Sequence, residues 1–318
     1  DVNMPVYLKV AALWGGQSGS LLFWCWLLSI FIFLALINKK NLDRQLFPWV
    51  IVVSSVTLGF FLLMLILFEN PFTRFFINMN EEVIEAIIPP LQTIQIAPNY
   101  GLGMNPLLYH LGMVFHPPML YLGFVGFVIP FAYAIAALIT GREDNLWIRK
   151  SQKWALVAWL FLSLGLILGS RWAYDVLGWG GYWGWDPVEV AALMPWLTST
   201  AYLHSSLLQE KRGIFKQWSA ALIILTFCLV ILGTFMTRSG LLSSVHAFSA
   251  SAIGPFFFVF TAVMLLVSVI LLGYRWSSLK DSSEIKSYFS RESLFLFNNL
   301  IFVAIFLICL LGVLFPIL

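Results

Sequence analysis

Charged residues are scarce in this 318-residue chain: Asp, Glu, Lys and Arg make up 10% of it, against 60% hydrophobic residues. A soluble domain carries roughly 25% charged residues, so the solvent this chain is built for is not water. Cysteine is scarcer still. Cys25, Cys228 and Cys309 all fall in apolar runs, and none belongs to a CxxC or CxxCH pattern. That excludes a dithiol redox motif, a disulfide framework and a covalent c-type haem on this chain itself, and leaves buried structural cysteines. Strict alternation of polar and apolar residues is missing from the apolar runs, which argues against a β-barrel. The net charge of +3 gives no reason to expect nucleic acid as a partner. No signal peptide pattern precedes the first apolar run, the first residue is Asp1, and the sequence ends in an apolar segment. The expectation is an internal piece, or the ordered part, of a longer protein.

What the chain has in abundance is long apolar runs. Eight of them, near 20–37, 46–68, 117–140, 153–174, 187–208, 216–237, 252–274 and 296–318, are each about long enough to cross a hydrocarbon layer about 30 Å thick as a helix. The expected fold is therefore an all-α polytopic membrane protein of about eight transmembrane helices, with residues 1–318 forming a single membrane domain. Fourteen of the eighteen Lys and Arg lie in four hydrophilic stretches, at 38–46, 141–153, 209–217 and 275–291. Lys39, Lys40, Arg142, Lys150, Lys211 and Lys286 are among them. These stretches occupy alternate loops, so they share one side, which the positive-inside rule makes the cytoplasm. Segments 69–116, 175–186 and 238–251 and both chain ends then face outward.

The outward segment 69–116 is long. Within it Glu81–Leu91 is weakly amphipathic and reads equally as a helix on the membrane surface or as plain loop, and Asn99–Pro106 is rich in turn formers. Gly165 and Gly169, four apart in one span, suit close helix packing. Pro130, mid-span, is expected to kink its helix.

Trp172, Trp179, Trp183, Trp185 and Trp196 cluster within 25 residues, and three of them lie in the stretch WGGYWGWD, 179–186. An aromatic belt at the interface accounts for one or two of them. Three tryptophans and Tyr182 interleaved with Gly178, Gly180, Gly181 and Gly184 suit a second reading, in which indole faces offer a platform to a flat ligand such as a porphyrin. Asp186 and Glu189 look like catalytic carboxylates. Asp186-Pro187-Val188-Glu189 is also a helix start, with an acid at the cap, proline first and glutamate third, and that is the reading with more weight.

Histidine is the usual protein ligand of haem iron, and there are four. His116 precedes Pro117-Pro118, which are expected to hold it out of helical geometry at the outer mouth of a span beginning just after it. His246 lies in another outward loop. The two read either as ordinary interfacial histidines or as a bis-imidazole pair on the side of the tryptophan loop. His204 sits inside a span, eighteen residues after Asp186, hence about five turns and roughly 27 Å away on the same helix face. It cannot serve the outer site; a second haem, a proton path and a neutral hydrogen-bonded histidine are all open. His110 has no evident partner and reads as structural. Arg171 and Arg238, at outward span ends, suit haem propionates or lipid head groups.

The tryptophan loop resembles the WWD motif of haem-handling membrane proteins of cytochrome c maturation, and the chain is most similar to the CcmF family, the large haem lyase subunit. The stretches that carry the resemblance are ALWGGQSGSLLFW (12–24), NPLL (105–108), FHPPMLYLGFVGF (115–127), LGSRWAYDVLGWGGYWGWDPVE (168–189), HSSLLQEKRGIFKQW (204–218) and LGTFMTRSGLLSSVHAF (232–248). The resemblance implies a haem-handling loop over 171–189, with Trp179, Trp183, Trp185 and Asp186 in it. It implies haem held as substrate by His116 and His246. It implies a resident haem b on His204, with a second ligand from a part of the family absent here. It further implies cytochrome c-type haem lyase activity, namely thioether attachment to the CxxCH cysteines of apocytochrome c. The implied partners are the haem chaperone CcmE, CcmH- and CcmI-type subunits, apocytochrome c and the lipid bilayer. The implied location is a bacterial inner membrane with the loop in the periplasm, or alternatively the mitochondrial inner membrane. A haem transporter or presenting scaffold, and a relative dedicated to a multihaem nitrite reductase, would share these stretches. A general secondary transporter would need charges at mid-membrane, which the runs lack. His110 stands where the family usually has no histidine.

Overall fold

Ten α-helices, a three-residue 3-10 helix (Pro106–Leu108) and one small sheet account for the regular structure of the computed structural model, which describes residues 3–37, 43–97, 101, 103–241, 244–248, 251–281, 287 and 289–315. The basic residues Lys39, Lys40 and Lys286, and Asn99, Tyr100 and Leu102 of the turn-rich loop, lie outside the described residues. In chain order the helices are α1 (Val6–Gly15), α2 (Gln17–Ile37), α3 (Leu46–Leu67), α4 (Gly112–Gly126), α5 (Val128–Thr140), α6 (Leu146–Val176), α7 (Pro187–Arg212), α8 (Lys216–Arg238), α9 (Gly254–Arg275) and α10 (Arg291–Leu314). The protein is an all-α polytopic membrane protein.

Among the described residues, seven segments are long and apolar enough to cross a membrane, taking α4 and α5 as one segment, Gly112–Thr140. The eighth expected crossing, α7, is a continuous helix of 26 residues, about 39 Å at 1.5 Å per residue, yet it is not among those seven. The reason is what α7 touches. It is packed between α6, α8 and α10, and Thr198, Ser199, Thr200, Ser205, Ser206 and Gln209 are buried in it. These side chains bond across to neighbouring helices, as in Thr198 to Thr226 at 2.9 Å, Trp159 to Thr200 at 2.8 Å and Gln152 to Ser206 at 3.1 Å. A helix shielded from lipid by protein has no need of an apolar surface all round, and interhelical hydroxyl bonds hold it in place.

The expected kink at Pro130 is a break. α4 ends at Gly126 and α5 begins at Val128, because proline lacks the N–H for the Gly126 carbonyl and its ring crowds that oxygen. Gly165 and Gly169 do bring helices together. A Cβ on Gly165 would lie 2.9 Å from the backbone of Leu120 in α4, and one on Gly123 of α4 would lie 2.6 Å from the backbone of Leu162 in α6. Only glycine admits this approach.

Two expectations about the outer segments need correction. Residues 81–91 form no surface helix, and they are loop only outside Val83–Ala86. Val83–Ala86 is a strand (β2) that pairs antiparallel with β1 (Arg74–Ile77), which pairs on its other side with β3 (Ile94–Ile96). The turn before it is set by the Asn78 side chain, which accepts from the N–H groups of Asn80 and Glu82. Val83 and Ile84 favour the pleat, and their pairing with Ile77 and Phe76 across the turn leaves no mark in a helical period. The second correction concerns His116. It is the fifth residue of α4, and the helix starts at Gly112 rather than after the prolines. Pro117 removes the N–H that would bond the Met113 carbonyl, and the indole Nε1–H of Trp14 donates to that carbonyl at 2.8 Å instead. A partner from α1 thus lets the helix run through the prolines.

Candidate functional site

The α4–α6 contact positions the first histidine. Gly169 leaves room for its ring: a Cβ there would sit 2.6 Å from Cε1 and 2.8 Å from Nδ1 of His116. The ring lies against α6, with Nδ1 2.7 Å from the carbonyl oxygen of Gly165. A carbonyl only accepts, so Nδ1 carries the proton and donates. The lone pair of the neutral ring is then on Nε2. Trp172, one turn beyond Gly169, meets His116 edge-on at 5.7 Å between ring centres.

The tryptophan loop positions the second histidine. Asp186 caps α7 by accepting from the Val188 N–H at 3.0 Å, with Pro187 in the first turn. Glu189 reaches back to the N–H groups of Asp186 and Gly184 at 3.2 and 3.0 Å. The expected helix-start motif is therefore present, and both carboxylates are engaged in it. Asp186 also does something the sequence does not announce. Its Oδ2 accepts from Ser244 Oγ at 2.7 Å and from His246 Nδ1 at 3.1 Å. Burial raises the Asp186 carboxyl, but the bonds from His246 and Ser244, the charge of His246 and the Val188 N–H outweigh it and hold the group below its ordinary value. An ionised acceptor on Nδ1 fixes the tautomer of a neutral His246 with its lone pair on Nε2, as carboxylates do for metal-binding histidines.

His116 and His246 line one cavity of about 330 Å³, at the small end of the usual range for ligand sites, about 300–1,000 Å³. Trp183, Trp172, Trp24, Trp14 and Tyr121 share its wall, and Arg238 lies at it. Arg238 is 1% exposed; it donates to Ser20 Oγ at 2.9 Å and to the Gln17 carbonyl at 3.3 Å, while its Nε and the indole N–H of Trp183 are buried without a partner among the described residues. Phe248 faces the guanidinium at 4.8 Å.

The other expected residues are arranged differently. Trp179 and Trp185 do not line the cavity. Trp179 folds across Gly184, where a Cβ would lie 2.5 Å from its ring, and meets His246 edge-on at 6.4 Å. Trp185, at a positive φ of 56°, is 68% exposed. Arg171 is separated from Arg238 in role: its side chain is 63% exposed and bonds Asp175 at 2.9 Å one turn on, away from the cavity wall. His110 has a partner after all, its Nε2 lying 3.8 Å from the same Asp175. Its Nδ1 accepts from the Gly112 N–H at 3.0 Å, so it marks the start of α4.

His204 lies apart, on α7, with Nδ1 3.0 Å from the Asn298 amide of α10. It lines a separate open pocket of about 250 Å³. Sequence reasoning missed Trp14, Trp24 and Tyr121 as wall residues. Only Trp14 left a trace, in the carbonyl that Pro117 frees.

Comparison with known proteins puts this geometry in context. The sequence model of a family described as "Cytochrome C assembly protein" matches residues 14–243. The cytochrome c-type biogenesis protein CcmF of Haemophilus influenzae is 41% identical over 99% of this chain and 46% of its own length, and that of Pseudomonas aeruginosa 44% identical over 99% and 45%. A probable cytochrome c-type biogenesis protein NrfE of Escherichia coli is 43% identical over 97% of this chain and 52% of its own. A solved structure titled "Cytochrome c Heme Lyase CcmF" superposes on 100% of this chain and 44% of its own, with a TM-score of 0.77 at 31% identity. The chain spans about half the length of the relatives it matches.

Proposed function

Since the chain belongs to the cytochrome c assembly protein family, we propose that it holds haem on the outer face of a bacterial inner membrane and promotes its covalent attachment to the CxxCH cysteines of an apocytochrome c. The observation that carries this reading is the pair His116 and His246, which line one cavity with Nδ1 of each tied to an acceptor. Two imidazoles with Nε2 free are the donor set of a bis-histidine haem iron. The largely apolar wall with its four tryptophans suits a porphyrin face, and Arg238 suits its propionates better than Arg171, because it is the arginine at the cavity. Attachment adds a thiol S–H across a haem vinyl, so nothing leaves and no strong acid or base is required. That agrees with Asp186 and Glu189 being engaged in the helix cap. What these residues do is hold: His116 and His246 take the iron, Trp183 and Trp172 wall the ring, and Asp186 orients His246. Trp179, Trp185 and the exposed rim of the loop, 171–189, face the haem chaperone CcmE, the CcmH- and CcmI-type subunits and the apocytochrome. The basic loops expected on the opposite side support a periplasmic position for this rim.

His204 serves a different group in this reading, a resident haem b whose other ligand comes from outside the chain. When bound, that haem would supply electrons that keep substrate haem ferrous. The donor set fits: an imidazole with phenylalanines 295 and 302 beside it and Arg291 at the same pocket.

Replacing His116 or His246 by alanine is expected to abolish cytochrome maturation while the resident haem stays in place, and replacing His204 to remove the resident haem. Optical spectra of the purified variants and haem staining of the cytochrome read the two effects. If all three variants behave alike, there are not two sites. A second reading, a presenting scaffold with chemistry left to its partners, uses the same two histidines. Thioether formation with haem-loaded chaperone and apocytochrome, timed with and without the protein, separates the two. The NrfE likeness leaves a nitrite reductase among the apocytochromes to be tried.

A further inference from the structure

The geometry assigns Asn298 a role of its own: a positioning residue that holds His204 by Nδ1 and turns its Nε2 to the ligand of the pocket beside it. This rests on the reading of His204 as the ligand of a resident haem.

Arg291, Leu294, Phe295 and Asn298 recur at three- and four-residue spacing, so they share one face of α10, and with His204 they line the open pocket of about 250 Å³. Phe295 meets the imidazole edge-on at 5.5 Å and Phe302 is tilted against it at 6.1 Å. Two adjacent amides face α7. Asn299 is fully buried and donates to Ser205 Oγ at 2.6 Å, bolting α10 to α7. Asn298 is not needed for that purpose, and its amide lies 3.0 Å from Nδ1 of His204. A polar side chain within a membrane span is costly and marks function by default.

The choice of asparagine follows from what His204 must do. With the amide nitrogen donating, Nδ1 accepts, and the neutral ring carries its proton on Nε2. Iron at Nε2 requires that proton to sit on Nδ1 instead. A half-turn of the amide brings its oxygen to Nδ1, where it accepts. Asparagine therefore keeps the imidazole bonded in the free and the ligated state, which an aliphatic residue does in neither and an acceptor-only residue in one. An acceptor on Nδ1–H also strengthens Nε2 as a donor to the metal, which favours ferric over ferrous iron. Arg291, at the same pocket, offers its guanidinium to the carboxylates of the ligand.

The test uses the protein purified from membranes with its bound haem, read by the midpoint potential and the low-spin EPR signal of that haem. Asn298→Leu is expected to raise the potential, shift the EPR signal and weaken haem retention by about 10–100-fold. Asn298→Asp is expected to lower the potential. Asn299→Leu, which loses an α7–α10 bond without touching His204, is expected to leave potential and EPR signal unchanged. The assignment is overturned if Asn298→Leu matches the unaltered protein, or if Asn299→Leu moves the readouts as far. Should Asn298→Leu fail to accumulate, Asn298→Asp decides alone, an unchanged potential counting against the assignment. A purified protein with no b-type haem spectrum overturns the reading of His204 itself; a haem present but indifferent to Asn298 overturns only the positioning role.

Discussion

Substituting Gly169 by alanine tests whether the α4–α6 approach exists for the sake of His116. The added Cβ would stand 2.6 Å from Cε1 and 2.8 Å from Nδ1 of the imidazole, well inside van der Waals contact. The ring must move outward, and the 2.7 Å bond to the Gly165 carbonyl is lost or lengthened. Overpacking of this kind costs about 1–3 kcal/mol of stability. Losing the partner of a metal-binding histidine costs about 10–100-fold in affinity, which is about 1.4–2.8 kcal/mol at 1.4 kcal/mol per decade. Gly123→Ala is the matched control. Its Cβ would meet the Leu162 backbone at 2.6 Å in the same helix pair, but seven residues from His116, about 10 Å along α4. The assay is haem titration of the detergent-solubilised protein, followed in the Soret band, with thermal unfolding of both variants alongside. Gly169→Ala is expected to lose outer-site affinity by that factor while Gly123→Ala loses only stability. Equal haem affinity in the two variants would refute the argument that Gly169 exists to seat the imidazole.

Other expectations separate roles that share a residue. Asp186→Asn keeps a good helix cap but takes the charged acceptor from His246; haem affinity at the outer site should fall about tenfold with the melting temperature little changed, and an unaffected titration would reduce Asp186 to a cap. Acidification should act on the same carboxylate. Its value in the folded protein is depressed, so its stabilisation is complete above the unfolded value of about 3.9 and is lost as pH falls through the lower folded value. Thermal unfolding between pH 6 and pH 3 should show that loss in the unaltered protein and not in Asp186→Asn; parallel curves would remove Asp186 from the account. Of the two outward arginines, Arg238→Ala should lower haem affinity at least tenfold, since charged hydrogen bonds of this kind are worth about 1.5–3 kcal/mol. Arg171→Ala, an exposed pair with Asp175, should change stability by less than about 0.5 kcal/mol and leave the titration alone; the reverse order would move the propionate site.

Particular residues show how far local pattern reaches. The Asp186–Glu189 cap was readable because every group in it lies within four residues, and the glycine spacing at 165 and 169 because small residues at i and i+4 have one common use in membranes. His116 shows the limit. Read locally, its two prolines end helical geometry; a tryptophan a hundred residues earlier supplies the missing donor and the helix begins sooner. Residues 81–91 fail in the same way, since a strand is stabilised by pairing with Arg74–Ile77 and not by its own period. His246 lies in a loop without periodicity, so the sequence carries no sign that Asp186, sixty residues before it, accepts its Nδ1–H.

The sequence by itself determined the solvent of this protein and its helical class, because these follow from sums over composition and from segment length. It also determined the types of chemistry on offer: imidazoles, indoles and a few cations. Only the tertiary structure decided which of them meet. It put His116 and His246 on one cavity and His204 on another, retained Arg238 at the wall and left Arg171 outside, and buried the hydroxyls of α7 where hydropathy expects lipid. Those outcomes depend on contacts between helices far apart in the chain, and a hydrogen bond or a van der Waals clash is decided over a few ångströms of space, whatever the separation in sequence.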